Sequence, residues 1–185
     1  MAFITVGGNV TSYAEYTDVL QKDQRILEAN EIAIPEESGF VDVSDFIEDM
    51  LTKSTNRINL KIKASSWWLG YLNYTGQSVT RPELAPDFNP NNIKSRKEEF
   101  TDMCVYYCFK EYLLPLIGDF GDADSPEVQK IKYYDAKFND IFNELLAIAD
   151  WYDADGDGTV EDSEKASFNQ PVRRSRRRTQ VARFR

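Results

Sequence analysis

Histidine is absent from this sequence of 185 residues, and cysteine occurs only as Cys104 and Cys108. The missing histidine excludes a Ser-His-Asp or Cys-His catalytic arrangement and any zinc site that contains histidine. Two cysteines cannot build a disulfide framework, and on a predicted helix we expect them to be buried core thiols. No apolar run reaches the length of about 18 residues that a membrane span requires. The N-terminus carries no basic leader region, so we expect a soluble protein without a signal peptide, made in a reducing cytoplasm.

Acidic residues are missing after Pro171, and this absence divides the chain by charge. The formal net charge is −9, yet seven arginines follow Pro171. The part before them carries 15 basic residues against 31 acidic ones, a formal charge of −16. An acidic body joined to a tail of charge +7 indicates two parts with different tasks.

Apolar residues at helical spacing dominate the chain before the tail. They predict helices over residues 11–30, from Asp42 onward, over 92–117, and from the Ser125–Pro126 start to Tyr152. Residues 75–92 are rich in Pro, Asn and Gly and predict a long irregular loop. The sequence shows no convincing pair of strands. We therefore expect an all-α fold: a body like a four-helix bundle, with a long central loop and an extended C-terminal arm.

Residues 153–164 resemble an EF-hand calcium loop at all of its consensus positions. Calcium prefers about six to eight oxygen ligands, and such a loop supplies them around a glycine at its sixth position, here Gly158. The predicted metal ligands are Asp153, Asp155, Asp157, the carbonyl of Thr159, Glu161 and Glu164. The helix predicted to end at Tyr152 would enter this loop directly.

Three interpretations of the loop remain open: a calcium site, a solvated turn rich in Asp and Gly, and a loop that keeps the EF-hand shape without metal. EF-hands normally act in pairs, whereas this sequence contains one such loop and only a short exiting helix before Pro171. Nothing in the sequence resembles the Met-rich groove that a calcium sensor exposes. We therefore expect calcium, as the possible cofactor, to be structural rather than regulatory.

The segment after Pro171 cannot fold alone, because its like charges repel and its apolar content is small. Three interpretations remain open: an arm that docks on an acidic partner protein, a nucleic-acid-binding tail, and a solvated terminus. The interleaved Val181 and Phe184 favour the docking arm. The residues expected to bind the partner are Arg173, Arg174, Arg176, Arg177, Arg178, Arg183, Phe184 and Arg185.

These features divide the chain into three regions. We predict a helical body over 1–152, an EF-hand-like loop with a short helix over 153–170, and a basic C-terminal arm over 171–185. No set of catalytic residues can be named, so we do not expect an enzyme.

The start of the chain resembles the first helix of the head-to-tail adaptor proteins of tailed bacteriophages, also called connector or head-completion proteins. The similar residues are Ser12-Tyr-Ala-Glu15, Leu20 and Ile26-Leu27-Glu-Ala-Asn30. The segment 173–185 is similar to the arms by which such adaptors dock onto the portal.

This resemblance implies a virion structural protein of the neck, at the head-tail junction, which is assembled in the host cytoplasm. Its partners would be further copies of itself in a ring of about twelve, the portal protein and the next neck or tail protein. The ring would extend the channel, and DNA would pass through its lumen without sequence-specific contact; no membrane is involved. The alternative is a calcium-binding, EF-hand-like protein whose basic tail binds a partner or nucleic acid.

Overall fold

Helices predominate in the computed structural model, which confirms the mainly α class. The structure describes residues 3–29, 34, 38–74, 79, 81–118, 125–153 and 155–161. Glu164, the short helix predicted after the loop, and the arm at 171–185 lie outside these ranges. Within them, none of the helices combines the length and the apolar character that crossing a membrane requires.

The described chain begins with a β-hairpin, so the prediction that no strands pair was wrong. Strand β1 (Ile4–Val6) pairs antiparallel with β2 (Asn9–Ser12). The turn consists of Gly7 at φ 61° and Gly8 at φ 83°. Two glycines in left-handed conformation match the twist of the flanking strands. A Gly-Gly pair between short runs of β-branched residues was therefore the sequence signal for this hairpin.

Helix α1 (Tyr16–Ala29) begins later than predicted, because Ser12 belongs to β2 and does not cap a helix. The backbone N–H of Glu15 instead donates to the carboxylate of Asp18 at 2.9 Å. The helix is kinked at Asp23, where φ is −152°. The Asp23 carboxylate accepts a hydrogen bond from the Lys130 ammonium at 2.8 Å, which connects the kink to the last described helix of the body.

Helix α2 (Val43–Lys63) starts as predicted, with the side chain of Asp42 accepting from the backbone N–H of Ser44. Helix α3 (Ser66–Tyr74) follows almost at once. It buries both Trp67 and Trp68, which are 6% and 3% exposed.

The helix predicted over 92–117 is shorter and interrupted. Helix α4 (Lys97–Cys108) passes into a π-helical stretch (Phe109–Leu113) and then into α5 (Leu114–Ile117). Pro115 lacks a backbone N–H and would crowd the carbonyl four residues earlier in a regular α-helix. The wider π turn just before it relieves that conflict. Before Lys97 the chain forms a short 3₁₀ turn at Pro90–Asn92, is extended at Ile93 and is left-handed at Arg96.

Helix α6 (Pro126–Ile148) begins as predicted, with the Ser125 hydroxyl accepting from the backbone N–H of Val128 at 3.3 Å. Its predicted end at Tyr152 was wrong. The helix stops at Ile148, and Ala149 adopts the left-handed conformation at φ 53°. The indole N–H of the fully buried Trp151 donates to the carbonyl of Leu145 at 2.7 Å. Burial of Trp151 therefore turns the chain away from the helix axis.

Helix α4 lies in the middle of the body and packs against both α2 and α6. Residues Tyr13 and Ala14 run between α2 and α4, where Tyr13 bonds through its backbone to the hydroxyls of Thr55 and Thr101 at 3.1 and 2.8 Å. Cys104 and Cys108 are buried free thiols, as predicted. Burial raises the pKa of Cys104 to about 12, so this thiol is inert at neutral pH.

Candidate metal centre

Three of the predicted calcium ligands come together directly after the extended segment that follows α6. Asp153, Asp155 and Asp157 each offer a carboxylate oxygen, and these oxygens lie within 4.8 Å of one another. Calcium–oxygen distances are about 2.3–2.6 Å, so two ligands on opposite sides of one ion stand about 5 Å apart. These three carboxylates could therefore hold one metal ion. Asp153 is fully buried, whereas Asp155 and Asp157 are exposed.

The carboxylate of Asp153 organises the turn around itself. Its Oδ1 accepts from the backbone N–H of Gly156 at 2.7 Å, and its Oδ2 accepts from that of Gly158 at 2.9 Å. Both glycines have positive φ, at 81° and 99°. The left-handed backbone at Gly158 is the sharp turn that the sixth position of a calcium loop requires.

The other two carboxylates bond to the backbone of the same turn. Oδ1 of Asp155 accepts from the backbone N–H of Asp157 at 3.1 Å. Oδ1 of Asp157 accepts from both the backbone N–H and the hydroxyl of Thr159, each at 2.8 Å. These two bonds, the backbone one first, lower the pKa of the Asp157 carboxyl. The turn is thus shaped by its own acidic side chains.

Among the described residues, the carboxylate of Glu161 is not part of this cluster. Thr159 and Glu161 are exposed residues of the same loop. Glu164, the predicted bidentate ligand, lies outside the described residues. The entering helix of an EF-hand is replaced by an extended segment, because α6 ends at Ile148. The described loop therefore resembles an EF-hand in its turn and not in the element that leads into it.

The ammonium group of Lys94 lies beside the cluster, and nothing in the sequence pattern predicted it there. The Nζ atom of Lys94 lies 3.7 Å from Oδ2 of Asp153. Lys94 sits far from the loop in sequence and reaches it only because the segment before α4 runs alongside. A positive charge here offsets part of the charge of the carboxylates and opposes a second cation.

The segment that leads into the loop is fixed to the body by burial and by backbone pairing. Its backbone forms an isolated antiparallel bridge between Ile93 and Tyr152. The N–H of Lys94 donates to the carbonyl of Trp151 at 3.0 Å, and the N–H of Asp153 donates to that of Asn92 at 2.9 Å. Chain direction at the first loop carboxylate is therefore set by residues 92–94.

Aromatic rings hold this segment from the side of the core. Trp151 is fully buried and Tyr152 is 5% exposed. Their ring neighbours lie with centroids 4.6–6.0 Å away. We define the aromatic cluster as Trp67, Trp68, Tyr71, Phe88, Trp151 and Tyr152. It joins the segment to α3 and to the end of the central loop, and burial there raises the pKa of the Tyr152 hydroxyl.

The basic arm, predicted to bind a partner through its arginines and Phe184, lies outside the described residues. The described chain ends at Glu161, ten residues before the arm begins at Pro171. A scan of protein-family models, a search of curated proteins and a search of solved structures each returned no match to this chain.

Proposed function

We propose that this protein is a virion structural protein of a tailed bacteriophage, an adaptor in the neck between portal and tail. In this proposal a body like a four-helix bundle assembles into a ring of about twelve copies that extends the DNA channel. The basic arm at 171–185 docks on the portal or on a neighbouring subunit. The opposite face of the ring receives the next neck or tail protein.

The observation that supports this proposal most is the fixed position of residues 151–153, which precede the arm in sequence. The buried Trp151 and the backbone bond from the N–H of Asp153 to the carbonyl of Asn92 hold this segment against the body. A docking arm gains from such an origin, because less freedom is lost when the arm binds. In a symmetric ring every copy presents its arm from the same place, and weak arm contacts then add through multivalency.

The division of charge supports the same assignment. The part of the chain before Pro171 has a formal charge of −16, whereas the arm carries seven arginines and no acid. Acidic walls repel the DNA duplex and let it slide through a channel without sequence-specific contact. The arm has the opposite sign and suits an acidic surface on a partner.

Native mass spectrometry with the portal protein of the same phage tests the adaptor proposal. The full chain should form a ring, either alone or once the portal is added. A variant that ends at Gln170 should keep its helical circular dichroism spectrum and lose portal binding. A second variant with every arm arginine replaced by lysine keeps the charge and loses the planar forked donors, so it separates simple attraction from arginine recognition.

A full chain that stays monomeric and does not bind the portal would overturn the adaptor proposal. Binding of DNA instead, with a steep salt dependence that disappears in the variant ending at Gln170, would identify the arm as a nucleic-acid-binding tail.

We also propose that the loop holds a structural calcium ion, since the three carboxylate oxygens lie close enough together to ligate one ion. Asp153, Asp155 and Asp157 would hold the ion, with Thr159, Glu161 and Glu164 as further ligands. Bound calcium would offset the repulsion among these acidic groups. The ion would act as a staple where the chain leaves the body towards the arm.

Terbium luminescence tests the calcium proposal, because Tb³⁺ takes oxygen ligands as calcium does and Trp151 stands two residues from Asp153. Titration of the full chain should give sensitised emission that calcium displaces. Asp155→Asn and Asp157→Asn should each weaken it. A wild-type protein that shows no sensitised emission, and no heat on calorimetric titration with calcium, would remove this proposal and leave the adaptor proposal standing.

A further inference from the structure

Arg96 and Asp150 join the two chain segments that meet beside the candidate metal centre. The Arg96 guanidinium donates to both carboxylate oxygens of Asp150, from Nε to Oδ1 and from Nη2 to Oδ2, the latter at 2.9 Å. The hydroxyl of Ser95 donates to the backbone carbonyl of Asp150 at 2.6 Å. Both charged side chains are a little over one quarter exposed, at 28% and 27%. A forked, partly buried pair of this kind fixes orientation as well as distance.

Both ends of this pair lie next to unusual backbone. Arg96 itself has φ 54° and Ala149 has φ 53°, and they are the positive-φ non-glycine residues of the described chain. Helix α4 has no side-chain cap from Arg96, although Ser, Thr, Asp or Asn is usual there. Helix α6 ends on an alanine where glycine is usual. Two helix ends thus adopt uncommon conformations at the one place where Arg96 meets Asp150.

The consequence of these two conformations is the direction of the segment between α6 and the loop. With Ala149 left-handed, residues 150–153 run back along 92–96 instead of continuing the helix. Trp151 fixes how deep the segment sits, because its ring is fully buried. The backbone bonds to residues 92–94 lie on one side of Asp153, and the Arg96–Asp150 pair lies three residues before it.

We propose that the Arg96–Asp150 pair is a positioning lock for the carboxylate loop, taking the part that the entering helix plays in an EF-hand. The pair acts through the backbone of 150–153, which it aims so that Asp153 enters the turn with its carboxylate towards Gly156 and Gly158. The proposal rests on the calcium site for its functional meaning. Its structural content, the hold on the Asp153 backbone, stands apart from metal.

Two measurements on the full chain test the lock. Terbium affinity measures how well the carboxylate loop binds a cation. Hydrogen exchange of the Lys94 and Asp153 amides measures how often the backbone bonds between residues 92–94 and 151–153 open. Arg96→Gln should lower terbium affinity by about tenfold, which is the lower end for partners that orient metal ligands. The two amides should exchange faster, while amides in the middle of α2 keep their protection.

Further variants separate positioning from general stability. Asp150→Asn should reproduce the effect of Arg96→Gln, and Arg96→Lys should fall between, because an ammonium cannot fork across a carboxylate. The reversed pair, Arg96→Asp with Asp150→Arg, should regain part of the affinity. Lys22→Gln is the matched control, since Lys22 and Asp102 form a similarly exposed pair 2.7 Å apart between α1 and α4. It should leave both readouts unchanged.

The possible failures are distinguishable. Wild type that binds terbium, with Arg96→Gln binding equally well and exchanging at the wild-type rate, would overturn the lock and leave the calcium site intact. Wild type that binds no terbium removes the calcium site, and exchange at Asp153 then decides whether the lock exists. If Arg96→Gln unfolds, Arg96→Lys and Asp150→Asn decide, and equal losses in Lys22→Gln would reduce the pair to general stability.

Discussion

The chain changes character between Tyr152 and Asp153. Before this point Trp151 and Tyr152 are buried in the aromatic cluster and are held by apolar surface removed from water. After it, the described loop residues 155–159 are exposed and are held by hydrogen bonds that their own carboxylates accept from nearby backbone N–H groups. Asp153 belongs to both sides, because its side chain is buried and shapes the exposed turn.

The two parts should therefore respond differently to pH and to salt. Apolar burial involves no charge that salt screens or that titrates near neutral pH, so we expect residues 151 and 152 to stay in place when ionic conditions change. A turn built from carboxylates depends on cations, on salt and on protonation. We therefore expect residues 151 and 152 to stay buried when the loop is disturbed, whereas the position of the loop depends on their burial.

Replacing Trp151 by alanine should have the largest effect on stability, since it removes the buried ring that holds the segment to the core. The ring is fully buried, and such a truncation costs about 3–5 kcal/mol of the free energy of unfolding. Urea denaturation followed by circular dichroism measures this loss. Tyr133→Ala, at an aromatic residue 54% exposed, is the control and should change little. A Trp151→Ala variant as stable as that control would contradict the view of the segment as an anchor.

Replacing Asp153 by alanine should break the loop and spare the body. We expect terbium affinity to fall by about a hundredfold or more, because the site loses its only buried carboxylate among the described ligands. The helical signal should remain, and in the adaptor proposal the arm should loosen and assembly should weaken. Asp87→Ala, at a carboxylate 91% exposed and paired with Lys63, is the control. Normal assembly of Asp153→Ala without calcium would refute the staple.

Replacing Lys94 by glutamine should raise the cation affinity of the carboxylate loop and leave the buried segment before it unchanged. The ammonium 3.7 Å from Asp153 repels an incoming cation, and at partly exposed sites such a term is worth about 1 kcal/mol, or about fivefold in affinity. Terbium titration at low and high salt measures it, and the gain should shrink as salt rises. Lys53→Gln, which removes an exposed partner of Asp49, should change nothing. Weaker binding in Lys94→Gln would show that the lysine orders the loop.

Replacing Thr159 by alanine should have the smallest effect. Its backbone N–H and hydroxyl lower the pKa of Asp157 below the ordinary value of 3.8. The stabilising contribution of these bonds is therefore full above that value and is lost as pH falls through the lowered one. Loss of the hydroxyl should move the pKa part of the way back, because the backbone bond remains. An NMR titration of the Asp157 carboxyl measures this, and Thr159→Ser should titrate like wild type.

What could be predicted from the sequence follows from how local each signal is. The starts of α2 and α6 were predictable, because Asp42 and Ser125 cap helices through residues two or three positions away. The turn of the loop was predictable for the same reason, since its carboxylates bond to N–H groups two to five residues on. Local chemistry of this kind is written in consecutive residues.

The rest depended on contacts between distant residues. The end of α6 was missed because the core site for Trp151 lies against α3 and the central loop, which no local pattern reveals. Arg96 and Asp150 are 54 positions apart, so no spacing in the sequence connects them. Lys94 was missed for the same reason. The hairpin is different: its Gly-Gly turn was visible, and its strands were too short to carry a clear alternation.

The short turn at Pro90–Asn92 accepts hydrogen bonds from the N-terminal hairpin and from the segment that follows α6. Asn91 accepts from the backbone N–H of Val10, 81 positions earlier, and Asn92 accepts from that of Asp153. Contacts that close long loops form late in folding, after helices that need only their neighbours. We therefore expect the C-terminal segment to reach its place only once the hairpin, the turn and the aromatic cluster have met. In the adaptor proposal, a chain that is still folding would therefore lack the fixed segment before its arm and would assemble less readily than a finished subunit.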